Sequence, residues 1–267
     1  MKKILVCAFV AIFVVCAVCA QGSQESGKQV LKVGATPVPH AEMLNLVKDD
    51  LSAQGIDLQI VEFTDYVTPN TALEEGELDA NFFQHIPYMV SFNTEHGYHL
   101  SNAGGIHIEP LAVYSKKISS LDQLKKGSLI AIPNDPTNEG RALLLLQSAG
   151  LIKLKDPSKL DSIVQDISEN KLGLKFSELE AATIPRVLPD VDAAVINGNY
   201  AIPARLKANE DGLFIEGADS PYVNIITVKE GHEKDPAIVA LIAALQSDEV
   251  RNWVASTYPN GEVVLTF

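Results

Sequence analysis

Short apolar runs alternate along most of this chain with segments whose apolar residues recur at helical spacing. The runs predicted to be strands are 30–35, 58–63, 78–82, 128–132, 172–176, 191–196 and 224–228. The segments predicted to be helices are 40–55, 68–76, 137–150, 178–188 and a last one from 235. Strands that alternate with helices predict an α/β fold whose mostly parallel sheets are covered by helices on both faces.

Length and charge limit the architecture and the partners further. The chain has 267 residues, and the strand–helix pattern occurs once before about residue 115 and again after it, which predicts two lobes. Because Lys and Arg number 21 against 34 Asp and Glu, the formal net charge is −13. Binding to a phosphate backbone needs a basic surface, so nucleic acid is excluded as the main partner.

The first residues have a different composition from the rest of the chain. Lys2 and Lys3 precede an uncharged apolar segment that ends near Ala20. That segment is shorter than the roughly twenty apolar residues that a spanning helix needs. A basic start, an apolar core and small residues at the end are typical of an export signal. Residues 1–18 are therefore predicted to be a signal peptide, and an uncleaved membrane anchor is the alternative.

All three cysteines, Cys7, Cys16 and Cys19, lie in or next to this apolar segment. The exported body is therefore predicted to lack disulfides, catalytic thiols and thiolate metal sites. Cys19 begins a polar stretch, 19–29, that is predicted to be a flexible tether, and this favours Cys19 as the site of a lipid anchor. Val18 departs from the small residue expected before a lipidated cysteine, so ordinary signal cleavage after residue 20 is the alternative.

The residues directly after each predicted strand are candidates for a binding site, because ligands of open α/β sheets bind beyond the carboxyl ends of the strands. Tyr66 follows the second strand, and Phe83, His85 and Tyr88 follow the third. These side chains are predicted to line a pocket for an apolar group with one polar handle. The alternative is that the phenylalanines belong to the core and His85 lies at the surface.

Three further residues are candidates for a polar end of the same site. Arg141 is predicted to lie in the first turn of a helix, where a cation opposes the helix dipole unless an anion such as a carboxylate lies beside it. An ion pair with Glu139 or Asp135 is the alternative. Asn199 lies in an Asn-Gly-Asn segment that follows a strand. Asn224 begins a predicted strand, where asparagine is disfavoured unless it has a polar task.

Metal and catalytic chemistry have less support from the sequence. His96 and His99 have a spacing that two metal ligands could share, but no zinc pattern surrounds them. The chain contains no Gly-x-Ser-x-Gly elbow, phosphate loop or dinucleotide fingerprint. No metal, cofactor or catalytic residue is therefore predicted.

Five segments together resemble the methionine-binding lipoproteins, the NlpA/MetQ family of substrate receptors of methionine ABC importers. The segments are PVPHAE (37–42), NFFQHIPY (81–88), PNDPTNEGR (133–141), DVDAAVINGNYA (190–201) and YVNII (222–226). The resemblance extends from about residue 31 to residue 265. It implies a two-lobe periplasmic-binding-protein architecture of the type II kind, with a ligand cleft between the lobes and two hinge crossings. Lobe 1 is then expected to comprise 30–115 plus 225–267, and lobe 2 to comprise 116–224.

The resemblance also implies a cargo and the residues that hold it. In this family L-methionine binds between the lobes, with its α-carboxylate on an arginine, its polar groups on asparagines and its thioether among aromatic rings. The matching positions for the polar end are Arg141, Asn199, Asn224 and, as a weaker candidate, Asn138. The matching positions for the apolar end are Tyr66, Phe83, His85 and Tyr88.

The expected function is that of a non-catalytic, lipid-anchored receptor at the cell membrane, facing the periplasm or the cell exterior. It delivers L-methionine to the permease and ATPase of an ABC importer. A receptor for another small amino acid or a dipeptide is the nearest alternative. A surface adhesin or structural lipoprotein is an alternative from another class, and a hydrolase is the least favoured.

Overall fold

A computed structural model of the chain describes residues 28–217 and 220–267. The strands in these ranges are β1 (Gln29–Ala35), β2 (Ile56–Glu62), β3 (Ala80–His85), β4 (Leu100–Ile108), β5 (Ala112–Tyr114), β6 (Leu129–Pro133), β7 (Lys153–Leu154), β8 (Ile167–Glu169), β9 (Lys175–Leu179), β10 (Ala193–Ile196), β11 (Phe214–Ile215), β12 (Asn224–Lys229) and β13 (Val264–Leu265). The α-helices are α1 (Glu42–Leu46), α2 (Lys48–Ala53), α3 (Thr68–Glu74), α4 (Ile86–His96), α5 (Pro136–Ser148), α6 (Ile184–Val187), α7 (Gly198–Ala201), α8 (Ala208–Asp211), α9 (Pro236–Leu245) and α10 (Asp248–Thr257).

The first lobe is built on a sheet with the strand order β13-β4-β12-β3-β1-β2. β1 pairs in parallel with β2 and β3, whereas β12 pairs antiparallel with both β3 and β4. The sheet is therefore mixed, which corrects the expectation of mostly parallel pairing. The reason is that β12 enters from the other lobe and not through a crossover helix on the same sheet.

The second lobe is built on a sheet with the order β11-β5-β10-β6-β9. β6 runs parallel to β9 and β10, and β5 runs antiparallel to β10 and β11. β7 and β8 form a separate antiparallel ribbon beside α5. The expected strand–helix alternation thus holds at the centre of this sheet, and antiparallel strands lie at one edge.

The chain passes between the two sheets twice. The first crossing, 109–111, links β4 to β5, and the second links β11 to β12 and includes Glu216 and Tyr222. The expected lobe boundary at residue 115 is wrong, because Ala112 and Val113 already pair with β10 and β11 in the second sheet. Asn224, which was expected to end the second lobe, is the first residue of β12 in the first sheet.

Each sheet buries an apolar core. In the first lobe, Val33 on β1, Leu44 on α1 and Leu241 on α9 belong to one cluster of fully buried side chains. In the second lobe, Ile132 on β6 packs with α5, whereas the opposite face of the same sheet packs against Ile184 of α6. The second sheet is therefore covered on both faces, as the alternation predicted.

Most predicted elements are present, with local shifts. The helices predicted at 68–76 and 137–150 are confirmed by α3 and α5, and the last helix by α9. The strand predicted at 172–176 is displaced to β9, and the helix predicted at 178–188 shortens to α6. The elements α4, β4, β5, α10 and β13 are additional to the prediction.

The N-terminal predictions fall outside the part of the chain that the structure describes. These are the signal peptide at 1–18, the lipid-anchor site Cys19 and the tether up to residue 27, whereas Gln29 already belongs to β1. In the described ranges, no helix is both long enough and apolar enough to cross a bilayer.

Candidate functional site

A cleft of about 340 Å³ lies between the two lobes, at the carboxyl ends of several strands. All eight residues proposed from the sequence line it, namely Tyr66, Phe83, His85, Tyr88, Asn138, Arg141, Asn199 and Asn224. Four lining residues were not predicted, namely Gln84, Glu109, Asn197 and Gly198. Three of the four lie within two positions of a predicted residue in sequence, whereas Glu109 lies on the first crossing and carries no local signal.

Local hydrogen bonds fix the aromatic side chains of the first lobe. His85 ends β3 and caps α4, because its Nδ1 accepts a hydrogen bond from the Tyr88 backbone N–H at 3.1 Å. The proton of this imidazole is therefore on Nε2. Asp65 caps the turn before α3 by accepting from the backbone N–H groups of Val67 and Thr68 at 2.8 and 2.7 Å. This turn presents Tyr66 to the cleft.

Three aromatic rings form the apolar end of the cleft. The ring centroids of Tyr66, Phe83 and Tyr88 lie 5.9 to 6.0 Å apart, within the range of favourable aromatic pairs. The Tyr88 hydroxyl donates to the Tyr66 carbonyl at 2.8 Å. His85 is only 5% exposed, so the alternative that placed it at the protein surface is wrong.

Arg141 lies in the cleft wall, but in a different setting from the predicted one. α5 begins at Pro136, so Arg141 is in the second turn and the argument from the helix dipole does not apply. Its Nε donates to Glu216 Oε1 at 2.9 Å, and its Nη2 donates to Glu216 Oε2 and, at 2.9 Å, to the Glu109 carbonyl. The guanidinium carbon also lies 4.3 Å from the centroid of the Tyr222 ring. Its ion-pair partner is therefore Glu216, not Glu139 or Asp135.

One nitrogen of Arg141 remains available to a ligand. Among the described residues, Nη1 has no hydrogen-bond partner, whereas Nε and Nη2 are both engaged. A carboxylate in the cleft can therefore be held by Nη1 while Glu216 keeps the other edge of the guanidinium.

Two asparagines present unpaired polar atoms. Asn199 Oδ1 accepts from the Tyr66 hydroxyl at 2.5 Å, and Asn197 Nδ2 donates to Asn138 Oδ1 at 2.7 Å. The other amide atoms, Asn199 Nδ2 and Asn197 Oδ1, are buried without a partner among the described residues. Since buried polar atoms are nearly always paired, this donor and this acceptor suit a zwitterionic ligand.

Asn138 plays a different part from the other asparagines. Its Oδ1 accepts from Asn197 and, at 3.3 Å, from His85 Nε2, and its Nδ2 donates to both carboxylate oxygens of Asp135. Both ends of the amide are thus used by the protein. Asn138 orients its neighbours, but the two Asp135 oxygens lie in nearly the same direction from Nδ2 and share one N–H, so the other N–H remains for a ligand in the cleft.

Glu109 supplies a buried carboxylate at the back of the cleft. It is 5% exposed, and its Oε1 lies 2.9 Å from His107 Nε2 and 3.3 Å from His40 Nε2. Burial raises the pKa of Glu109, and His40, Arg141 and the Asn199 backbone N–H oppose that shift. A Cβ on Gly198 would come within 2.8 Å of Glu109 Oε2, so glycine lets this carboxyl group lie against α7.

His40, His107 and Glu109 also have the composition of a metal site, since their ligand atoms lie within 4.8 Å of one another. Burial lowers the pKa of His40 to about 4 and that of His107 to about 3, so both imidazoles are neutral at pH 7. His107 Nε2 donates to the Glu109 carboxylate at 2.9 Å, whereas His40 Nε2 donates to Asn224 Oδ1 at 3.2 Å and lies 3.3 Å from the same carboxylate. These contacts hold the three side chains together as a hydrogen-bonded cluster.

Side-chain hydrogen bonds cross the cleft directly from one lobe to the other. The Tyr66 hydroxyl donates to Asn199, His85 Nε2 donates to Asn138, and the Tyr200 hydroxyl donates to the Thr64 carbonyl at 3.0 Å. The lobes are therefore in direct contact around the site.

Comparisons with known proteins agree with this geometry. The family model for the NlpA lipoprotein matches residues 31–267. Membrane lipoprotein TpN32 of Treponema pallidum is 42% identical over 259 residues, which cover 97% of this chain and 95% of that protein. The D-methionine-binding lipoprotein MetQ of Escherichia coli is 44% identical over 247 residues, which cover 91% and 90% of the two chains.

Solved structures give the same result. A nutrient-binding protein from Burkholderia cenocepacia bound to methionine aligns with a TM-score of 0.86 at 45% identity, covering 89% of this chain and 100% of that one. The resemblance drawn from the five segments and the expected receptor architecture are both confirmed. Because the family model covers nearly the whole body of the chain, the protein belongs to the NlpA lipoprotein family.

Proposed function

We propose that this protein is an extracytoplasmic receptor that binds methionine in the cleft between its lobes and delivers it to an ABC importer. The observation that carries the proposal is the convergence of eight residues, from segments scattered between 66 and 224, on one cleft with an aromatic end and a polar end. The E. coli relative, a D-methionine-binding lipoprotein, and the B. cenocepacia structure, which is bound to methionine, support the same cargo.

The polar end suits both charged groups of a free amino acid. Arg141 Nη1 and the Asn199 and Asn224 side-chain amides are donors for the α-carboxylate, and Glu109 and Asn197 Oδ1 are acceptors for the α-ammonium group. Arg141 and Glu216 compensate each other's charge, so Glu109 is the carboxylate that still requires a cation. A zwitterion stripped of water needs partners for both charges, so a ligand without either group is expected to bind poorly.

The apolar end suits the methionine side chain. Burying it contributes about 1.5–3 kcal/mol, and contact between the sulfur and aromatic rings adds about 0.3–1.5 kcal/mol. An apolar pocket distinguishes ligands that differ by a methylene group by only about 1–3 kcal/mol. The aromatic rings therefore favour methionine over leucine modestly, and the polar end accounts for most of the recognition.

Calorimetric titration tests this function directly. The purified protein is unfolded, dialysed to remove any bound molecule, refolded and titrated with L-methionine, D-methionine, L-leucine and methionine amide. We expect tight binding of a methionine enantiomer, leucine binding weaker by roughly tenfold or more, and much weaker binding of the amide, which lacks the carboxylate. Tighter binding of another amino acid than of either methionine would contradict the proposal.

We also propose that Cys19 carries lipid and that the receptor works at the membrane with a permease and an ATPase. The lipoprotein family of the chain and the polar stretch after Cys19 support this. Cys19→Ser should move the protein from the membrane fraction to the soluble fraction, and Cys16→Ser should not. A mature protein that begins at Gln21 would exclude lipidation at Cys19.

A further inference from the structure

The segment PVPHAE (37–42) helped to identify the family, yet none of its residues lines the cleft. Its histidine, His40, is 1% exposed and lies directly behind Glu109, together with His107 of β4. We propose that His40 and His107 are positioning residues that hold the Glu109 carboxylate against the α-ammonium group of the ligand. Selectivity for a free amino group then depends on them. This inference rests on the proposed function.

The hydrogen-bond pattern fixes the tautomer of both imidazoles. His40 Nε2 faces two acceptor oxygens, Asn224 Oδ1 at 3.2 Å and Glu109 Oε1 at 3.3 Å, so its proton is on Nε2, and Nδ1 accepts from the Thr36 hydroxyl at 2.7 Å. His107 Nδ1 is buried with no partner among the described residues, so a proton there would be an unsatisfied donor. His107 therefore donates Nε2–H to Glu109 Oε1 at 2.9 Å, whereas His40 donates to Asn224 and packs against the same carboxylate oxygen.

The two imidazoles act on the same oxygen of Glu109. Both Nε2 atoms approach Oε1, which leaves Oε2 beside Gly198 in the cleft wall. Hydrogen bonds to an ionised carboxylate favour the charged form and oppose the effect of burial. The hydrogen bond from His107 to Oε1, with His40 packed against the same oxygen, therefore keeps Oε2 charged and fixed, which is the state that binds an ammonium group.

The surroundings of the cluster hold it rigid. The Phe82 ring packs edge-on against both imidazoles, with centroids 4.6 Å from His40 and 5.4 Å from His107. The charged and polar groups that face Glu109 are these two histidines, Arg141 of α5 and the Asn199 backbone of α7. His40 Nε2 also lies 3.2 Å from Asn224 Oδ1, so one imidazole contacts residues at both crossings between the lobes.

Substitution of His107 separates a positioning role from a structural one. His107→Leu removes the donor at similar size, and His107→Gln retains a side-chain N–H that can reach the carboxylate. The probes are L-methionine and 4-(methylthio)butanoate, which is the same molecule without its amino group. We expect His107→Leu to weaken methionine binding by about tenfold or more while the desamino analogue changes by less than about twofold, and His107→Gln to recover most of the loss.

The outcomes separate this inference from the proposed function. Failure of the wild-type protein to bind methionine would overturn the proposed function. If the wild type binds and His107→Leu weakens both probes equally, or weakens neither, the positioning role is wrong.

Nitrogen NMR of the wild-type protein tests the same inference without a variant. With ¹⁵N-labelled histidine, both buried imidazoles should be neutral and protonated on Nε2 at pH 7. An Nδ1–H tautomer or an imidazolium at either position would overturn the inference, even if every variant failed to fold.

Discussion

Arg141 joins the two crossings at the back of the cleft. It donates to the Glu109 carbonyl on the first crossing and pairs with Glu216 on the second. Arg141 is 3% exposed, and loss of one partner from such a buried pair leaves an uncompensated charge in a poorly solvated place. The residue is therefore expected to contribute both to folding and to ligand binding.

Arg141→Ala should lower the free energy of unfolding by about 3 kcal/mol, because Glu216, whose side chain is only 15% exposed, loses its charged partner. Methionine affinity should fall by roughly tenfold or more, and affinity for methionine amide should fall less, because the amide has no carboxylate to lose a partner. Urea denaturation and calorimetry measure the two effects. Arg186→Ala, at an exposed position of α6, is the control and should change neither. If Arg141→Ala were as stable as the wild type, the Arg141–Glu216 pair would not stabilise the fold as described.

His85 predicts a pH dependence of stability whose sign follows from its burial. Burial lowers its pKa in the folded protein from 6.5 to about 3, so the native imidazole is neutral where the unfolded one is protonated. Unfolding then takes up a proton, and the contribution of His85 to the free energy of unfolding falls as pH decreases from 6.5 toward 3. His85→Gln should make the slope of the free energy of unfolding against pH shallower by about 1.4 kcal/mol per pH unit in that window. Urea denaturation measures this free energy for both proteins between pH 6 and pH 4.5, and equal slopes would contradict the prediction.

Sequence patterns located most of the cleft residues but not their partners. Tyr66 and Asn199 lie within four residues of the ends of β2 and β10, and Phe83, which lies inside β3, follows the shorter strand predicted at 78–82, so local sequence was enough to propose them. Glu216 lies 75 residues from Arg141, and Glu109 meets His40 only because β4 ends beside the turn after β1. Contacts at such separations depend on the tertiary fold, and no periodicity or spacing in the sequence reports them.

At the scale of elements, β4 was missed because its sequence is poor in strand-forming residues. It contains Gly104 and Gly105, which are disfavoured in strands. A Cβ on Gly104 would lie 3.1 Å from the Ile242 side chain of α9, and one on Gly105 would lie 2.9 Å from Val223. Tertiary packing therefore favours glycine at both positions, which offsets the unfavourable local preference.

α4 was not predicted, although its sequence contains the signals that begin and end a helix. His85 caps it, Pro87 lies in its first turn and Gly97 ends it at a φ of 68°. The segment was assigned to a pocket wall because its aromatic residues follow a strand. The segment is both a helix and part of the pocket wall, because Tyr88 is in the first turn of α4 and also lines the cleft.

Replacement of Gly140 in α5 by alanine is expected to change the stability in the direction opposite to the one that helix propensity predicts. Alanine is favoured over glycine inside a helix by about 1 kcal/mol, so Gly140→Ala is expected from propensity alone to stabilise the protein. A Cβ here would lie 2.1 Å from the Leu160 carbonyl oxygen and 2.9 Å from the Ser162 backbone nitrogen, and backbone cannot move aside as a side chain can. The steric clash should therefore outweigh the gain in helix propensity, and urea denaturation should show a free energy of unfolding that is lower by about 1–2 kcal/mol.

Ser148→Ala, at the exposed end of the same helix, is the matched control and should be neutral or slightly stabilising. A Gly140→Ala protein that is more stable than the wild type would mean that α5 does not pack against 160–162 as described.

At the scale of the whole molecule, the lobes are linked by the two crossings and by side-chain hydrogen bonds across the cleft. The Tyr200 bond to the Thr64 carbonyl lies outside the eight proposed ligand residues, and the Tyr200 ring stacks near Tyr66 at 5.1 Å. A ligand that bridges the lobes favours the closed arrangement only through contacts that are absent when the lobes separate. Removal of one direct bond between the lobes should therefore shift the protein toward the open arrangement.

Tyr200→Phe keeps the ring and removes that bond. Methionine affinity should fall by roughly two- to tenfold, and small-angle scattering without added methionine should show a larger radius of gyration than for the wild type. Saturating methionine should compact both proteins. Tyr98→Phe is the control, because the Tyr98 hydroxyl has no partner in the described part of the chain. Unchanged affinity and scattering in Tyr200→Phe would argue against lobe closure through this contact.

Identification of the molecule that co-purifies with the protein tests the central claim most directly. The protein is purified under native conditions without dialysis, denatured, and the released small molecules are identified and quantified by mass spectrometry. We expect methionine at up to one molecule per chain, and its amount should fall in Arg141→Ala purified in the same way. Release of a different amino acid or a dipeptide at that stoichiometry would contradict the claim.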